Sequence, residues 1–111
     1  MARFMILYRS SVSAADQMAS ASPEQAQEGM AMWMRWAEKT GQALADLGSP
    51  LVSSGLLPTG ADGETGTPIG GYSIVEASSS EEVADLLDGH PHLMAPGASI
   101  EVLECMQIPG T

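Results

Sequence analysis

The chain has 111 residues, 14 acids against 4 bases, one cysteine and a formal net charge of −10. Residues 1 to 39 hold all the bases (Arg3, Arg9, Arg35, Lys39) and balance them with Asp16, Glu24, Glu28 and Glu38, so the whole negative excess comes from the remaining two-thirds. A phosphate backbone or an anionic leaflet needs a basic stripe, and none is present, so neither nucleic acid nor membrane is expected as a partner.

At 44% apolar residues the chain can close a core, and its length fits a single domain over residues 1–111. The run Phe4 to Tyr8 is too short for a signal peptide and lies between two arginines, and no segment is long and apolar enough to span a bilayer. The lone Cys105 excludes an internal disulfide and, with no signal, points to the cytoplasm. Its place in an alternating apolar segment predicts a buried, inert thiol.

In chain order, Arg3-Phe-Met-Ile-Leu-Tyr8 is apolar on both faces, the pattern of a strand covered on both sides and central in its sheet. Residues 10 to 21 are small and polar and read as a loose connection. Ser22-Pro23-Glu24-Gln25 then supplies a capping hydroxyl, a proline at the first helical position, an acid at the positive end of the helix dipole and a capping-box glutamine. The helix that follows carries Ala26, Met30, Trp33, Ala37, Leu44 and Leu47 on one stripe and Met32, Met34 and Trp36 on a second. Gly41 weakens its last turns, and Gly48-Ser49-Pro50 is the expected stop.

Leu51 to Leu57 reads as the second strand and Pro58 to Pro68 as a turn-rich connection. Ile69 to Glu76 reads as the third strand, with Gly70 and Gly71 marking a bulge or a close backbone approach. A short amphipathic helix follows, capped by Ser79 or Ser80, with Val83, Leu86 and Leu87 as its apolar face and Gly89 and Pro91 as its stop. Ile100, Val102, Met106 and Ile108 alternate along a last strand, on which Glu101 and Glu104 fall on opposite faces.

The order β-α-β-β-α-β predicts an α+β, ferredoxin-like fold with a four-stranded antiparallel sheet and both helices on one face. The other face is then bare, although the first strand is apolar on both sides. If about ten outward side chains each hid about 50 Å² of apolar area, a partner would contribute roughly 12 kcal/mol, before association costs. A homodimer with two sheets face to face is expected.

The opening Arg3-Phe-Met-Ile-Leu-Tyr8, the aromatic helix Met32 to Gly41, the strand Gly71-Tyr-Ser-Ile-Val-Glu-Ala77, and Pro91-His-Leu93 followed by Gly97-Ala-Ser-Ile-Glu-Val-Leu-Glu104 together resemble the YCII-related family. The resemblance spans nearly the whole chain and implies a dimeric α+β barrel. Some branches pair a histidine on the first helix with a nearby aspartate, and one member is a dehydrochlorinase of chlorinated hydroxyquinols. This sequence departs from that pattern, since residues 23 to 47 hold no histidine and Asp62-Gly63 continues as Glu64-Thr65 rather than Pro-Phe.

The histidines His90 and His92 lie in Asp88-Gly-His-Pro-His92. Two imidazoles with acids nearby can begin a metal site, but a catalytic zinc usually takes three protein ligands, and no metal is assigned. The simpler expectation is His90 exposed after the helix and His92 packed with its ring hydrogen-bonded. The sharper one makes His92 a catalytic acid or base, with Glu101 or Asp88 as partner and Tyr8 or Tyr72 orienting a ligand.

Trp33, Trp36 and the methionines around them either line an apolar ligand pocket or form core and interface. Arg35 is expected to pair with Glu28 or Glu38. Gly60 to Gly66 lacks the Gly-Lys-Ser/Thr ending of a phosphate loop and the twelfth-position acid of a calcium loop. No cofactor is expected. The candidate pocket is Tyr8, Trp33, Trp36, Tyr72 and Glu101, with His92 as the candidate catalytic residue. A non-catalytic binding or sensor role is the first reading, an enzyme acting on a small cyclic or aromatic metabolite the second, and a purely structural dimer the third.

Overall fold

The computed structural model describes residues 1–58, 68–95 and 97–110. Asp62, Glu64 and most of the connection Pro58 to Pro68 therefore lie outside the described residues. Four strands, β1 (Ala2–Arg9), β2 (Leu44–Pro50), β3 (Ile69–Ala77) and β4 (Ser99–Glu104), form one antiparallel sheet in the order β2-β3-β1-β4. This is the ferredoxin-like α+β arrangement, with β1 in the interior of the sheet as its two-sided apolar pattern predicts. Among the described residues no helix is long and apolar enough to cross a membrane.

Strand alternation sorts the side chains. Phe4, Ile6 and Tyr8 of β1 and Val75 and Ala77 of β3 are buried with Trp36, Val83 and Leu87, which come from α2 (Pro23–Thr40) and α3 (Ser80–Leu87). The Trp36 indole N–H donates to the Leu86 carbonyl at 2.9 Å and ties the two helices together. On the other face, Met5, Leu7, Tyr72 and Ile74 remain half-buried and Leu103 exposed. The ion pairs Arg3–Glu76 and Arg9–Glu101 lie across the strands at either end of this strip.

The predicted capping box is present: the Ser22 hydroxyl accepts from the Gln25 amide and the Gln25 side chain accepts from the Ser22 amide. Ser79 caps α3. Four sequence expectations are corrected. The loose connection contains a helix, α1 (Ala14–Ser20), whose cap Ser13 accepts from the Asp16 amide. Helix α2 stops at Thr40 rather than near Leu47, because Gly41 adopts φ 62° and the chain turns through Gly41–Ala43 to pair Leu44 with Val75. The second strand is consequently Leu44–Pro50, whereas residues 51–57 are exposed and unpaired as a strand. Strand β4 ends at Glu104, which leaves Cys105 exposed.

Glycine has a specific task at two positions. Gly48 has φ 80°, and a Cβ there would lie 1.7 Å from the Tyr72 carbonyl oxygen, so only glycine lets β2 run against β3 at this point. At Gly71 a Cβ would lie 3.1 Å from the Ser49 carbonyl oxygen, the close approach predicted from the paired glycines. The register shifts beside it, between Tyr8 and Arg9.

Candidate functional site

Tyr8 lies on the helix side of β1 and is 3% exposed, so its hydroxyl needs partners inside the fold. It donates to Ser73 Oγ at 2.8 Å, and Ser73 Oγ donates in turn to the Leu47 carbonyl at 2.6 Å. The third member is His90, which is fully buried rather than exposed as expected. Gly89, at φ 72°, turns the chain after α3, and His90 then caps the short 3-10 turn Pro91–Met94. Its Nδ1 accepts from the His92 amide at 3.0 Å. That places the ring proton on Nε2, which donates to the Tyr8 hydroxyl at 3.2 Å.

The chain of donors therefore runs in one direction, from His90 through Tyr8 and Ser73 to Leu47. Aromatic rings enclose it. The His90 ring centroid lies 4.6 Å from that of Trp33, 4.4 Å from that of Trp36 and 5.0 Å from that of Tyr8. Burial lowers the His90 pKa to about 4, with the neighbouring His92 ring adding to the effect. Burial likewise raises the Tyr8 pKa to about 12, partly offset by the bond to Ser73. Both groups are thus neutral at pH 7, and both His90 nitrogens are spent inside the protein.

His92 is half-buried, and its Nε2 lies 2.8 Å from the Arg9 carbonyl and 3.1 Å from the Ser99 carbonyl. Two acceptors fix that nitrogen as N–H, so in the neutral ring Nδ1 carries the lone pair. This bond ties the end of β1 to the start of β4.

A cavity of about 460 Å³ opens beside this cluster, within the range of roughly 300–1,000 Å³ typical of small-molecule sites. Small residues leave the space: Ala14 and Ala21 in and just after α1, Ala26 and Gly29 on α2, and Gly70 and Gly71 on β3. A Cβ on Gly29 would meet nothing within 4 Å. Tyr8, Trp33, Met18, Met30 and Leu47 supply larger apolar surface, and His92, Gln17, Ser10 and Ser49 are polar members of the lining. None of the described lining residues is an acid, a lysine or an arginine.

Of the residues singled out in the sequence, Tyr8, Trp33, Tyr72 and His92 border this cavity. Alternation nevertheless assigns the Tyr72 side chain to the face opposite Ser73. Trp36 does not border it; its ring is 4% exposed in the core and its outer edge meets a shallower depression of about 240 Å³ with Arg35, Lys39 and Asp88. Glu101 is on the outer sheet face, where it pairs with Arg9 at 2.9 Å, so it is not a partner for His92. Asp88 borders the shallower depression and not the cavity. Arg35 donates to the Ala31 carbonyl at 3.4 Å instead of pairing with Glu28 or Glu38.

Sequence reasoning placed His90 at the surface and singled out neither Ser73 nor Gln17. One signal was present: Tyr8 shares the parity of Phe4 and Ile6, so a buried phenol was implied, and a buried phenol requires a partner.

No family model matches the chain, and no curated protein matches it. Solved structures do. One is the 5-chloro-2-hydroxyhydroquinone dehydrochlorinase of Burkholderia phenoliruptrix AC1100 in complex with 2,5-dihydroxybenzoquinone. It is 21% identical, with the alignment covering 88% of this chain and 90% of that one, at a TM-score of 0.48.

Proposed function

We propose that this chain is a homodimeric α+β barrel protein of YCII-related type that binds a small molecule in the cavity between α1, α2 and the sheet, without transforming it. The observation that carries the reading is the cavity itself, a space of about 460 Å³ bordered by the rings of Tyr8 and Trp33, kept open by glycines and alanines and free of acids, lysines and arginines among the described residues. A helix interior gains about 1 kcal/mol from alanine in place of glycine, yet Gly29 stands inside α2 with open space where its Cβ would be. That sacrifice makes sense if the space has an occupant.

The non-catalytic reading is supported by the histidines. A catalytic imidazole keeps one nitrogen free for the substrate and is ordinarily polarised by a carboxylate or other third group on the other nitrogen. His90 has neither nitrogen free. The described hydrogen bonds of the His92 ring go to two main-chain carbonyls and to no acid or tyrosine.

The test is a titration with N-phenyl-1-naphthylamine, an uncharged probe that fluoresces in apolar surroundings. Saturable enhancement with one site per chain is expected, together with its loss in Gly29→Leu and Ala26→Leu variants that keep their circular dichroism. Absence of saturable binding, or binding indifferent to both substitutions, would refute the reading.

A further inference from the structure

Two side chains on the cavity wall, His92 and Gln17, have their N–H groups spent on the protein and an acceptor left over, and we propose that the ligand is an uncharged ring compound that donates a hydrogen bond, received by Nδ1 of His92. This inference rests on the cavity reading above and adds the chemistry of the occupant.

His92 borders the cavity, and its Nε2–H is shared between the Arg9 and Ser99 carbonyls. The tautomer of the neutral ring is thereby fixed by the main chain, and its Nδ1 is an acceptor. No buried side-chain nitrogen or oxygen among the described residues lacks a partner, so Nδ1, which has no described protein partner, is accessible. Gln17 repeats the pattern. Its amide nitrogen donates to Ser10 Oγ at 3.1 Å and to the Val12 carbonyl at 3.0 Å, which leaves Oε1 as its open end. The Tyr8 proton is committed to Ser73. The serine hydroxyls can turn either way, but a neutral His92 and Gln17 have no N–H left to offer without breaking the bonds they make within the protein.

Charge selects in the same direction. With no lysine or arginine on the wall and −10 on the chain, an anionic ligand would be desolvated without a counter-charge. A ligand that lacks a donor would leave the Nδ1 lone pair dry and unpaired, the situation in which polar sites discriminate most strongly.

The experiment is displacement of N-phenyl-1-naphthylamine by three molecules of similar shape: indole, which has an N–H donor, benzothiophene, which has none, and indole-2-carboxylate, which carries charge. Indole is expected to displace the probe at about tenfold lower concentration than benzothiophene, with the carboxylate weakest. His92→Gln keeps an amide N–H for the two carbonyls and deletes Nδ1, and should bring indole and benzothiophene together. Nitrogen-15 spectra of histidine-labelled wild-type protein give a reading that survives if the variant misfolds, because the Nδ1 resonance of one histidine should move upfield when it accepts the indole proton.

Equal displacement by indole and benzothiophene, with binding still lost in Gly29→Leu, overturns the donor rule and leaves the cavity reading standing. A preference for indole that neither His92→Gln nor the nitrogen spectrum registers removes His92 from the role. Tightest binding by the carboxylate overturns the charge argument. Displacement by none of them, where the probe itself does not bind, overturns inference and reading together.

Discussion

The Tyr8 hydroxyl serves two buried groups at once, accepting from His90 and donating to Ser73. Tyr8→Phe keeps the ring and its packing but strands the His90 N–H, while Ser73 retains Leu47. The expected cost is about 1–3 kcal/mol, read as a lower midpoint in urea denaturation with an unchanged slope. His90 adds a pH dependence. Its folded pKa of about 4 lies below the unfolded value of 6.5, so between those limits the unfolded chain takes up a proton that the folded one refuses. Stability therefore falls as the pH drops through that window, by up to about 1.4 kcal/mol per unit from this residue. Replacement by Gln should remove that part of the slope in chemical denaturation from pH 7 to 4, and an unaltered slope would count against a buried neutral imidazole.

Among the elements, α2 is the one whose sequence serves competing demands. Its start was legible because a capping box is a local device, complete within Ser22 to Gln25. Its end was not, because Leu44 and Leu47 continue the helical period while the pairing of Leu44 with Val75 is made across the sheet. Gly41 supplied the break, and the distant strand decided that the break was used. The same reason explains α1, which buries none of its own residues and gives no apolar stripe to read. Gly29 separates the two demands inside α2. Gly29→Ala should raise stability by about 1 kcal/mol, a rise of roughly 4 °C in the melting temperature, since the methyl group meets open space. A fall in melting temperature would mean that the space is not available.

At the scale of the molecule, the sheet carries an apolar strip of Met5, Leu7, Tyr72, Ile74 and Leu103 on the side away from the helices. This strip is the surface that the proposed face-to-face dimer would bury on each copy. The proposed dimer should appear in light scattering at micromolar concentration, and Leu7→Lys combined with Ile74→Lys should convert it to monomer. A wild-type monomer under those conditions would end the dimer proposal. The charge asymmetry fits this layout: the acids Glu81, Glu82, Asp85 and Asp88 of the second half lie on or just after α3, exposed on the helix side of the sheet, whereas the two ion pairs belong to the outer face.

The sequence by itself determined the interior place of β1, the capped starts of α2 and α3 and the antiparallel ferredoxin-like order, because alternation, caps and turn residues act over a few neighbours. It also located His92 and Tyr8 as chemically unusual. Only the tertiary structure decided which histidine is buried, where α2 yields to β2, and that Trp36 and Glu101 stand apart from the cavity. Those outcomes depend on contacts between residues as far apart as Tyr8 and His90, and on hydrogen bonds that fix each tautomer from outside the residue itself.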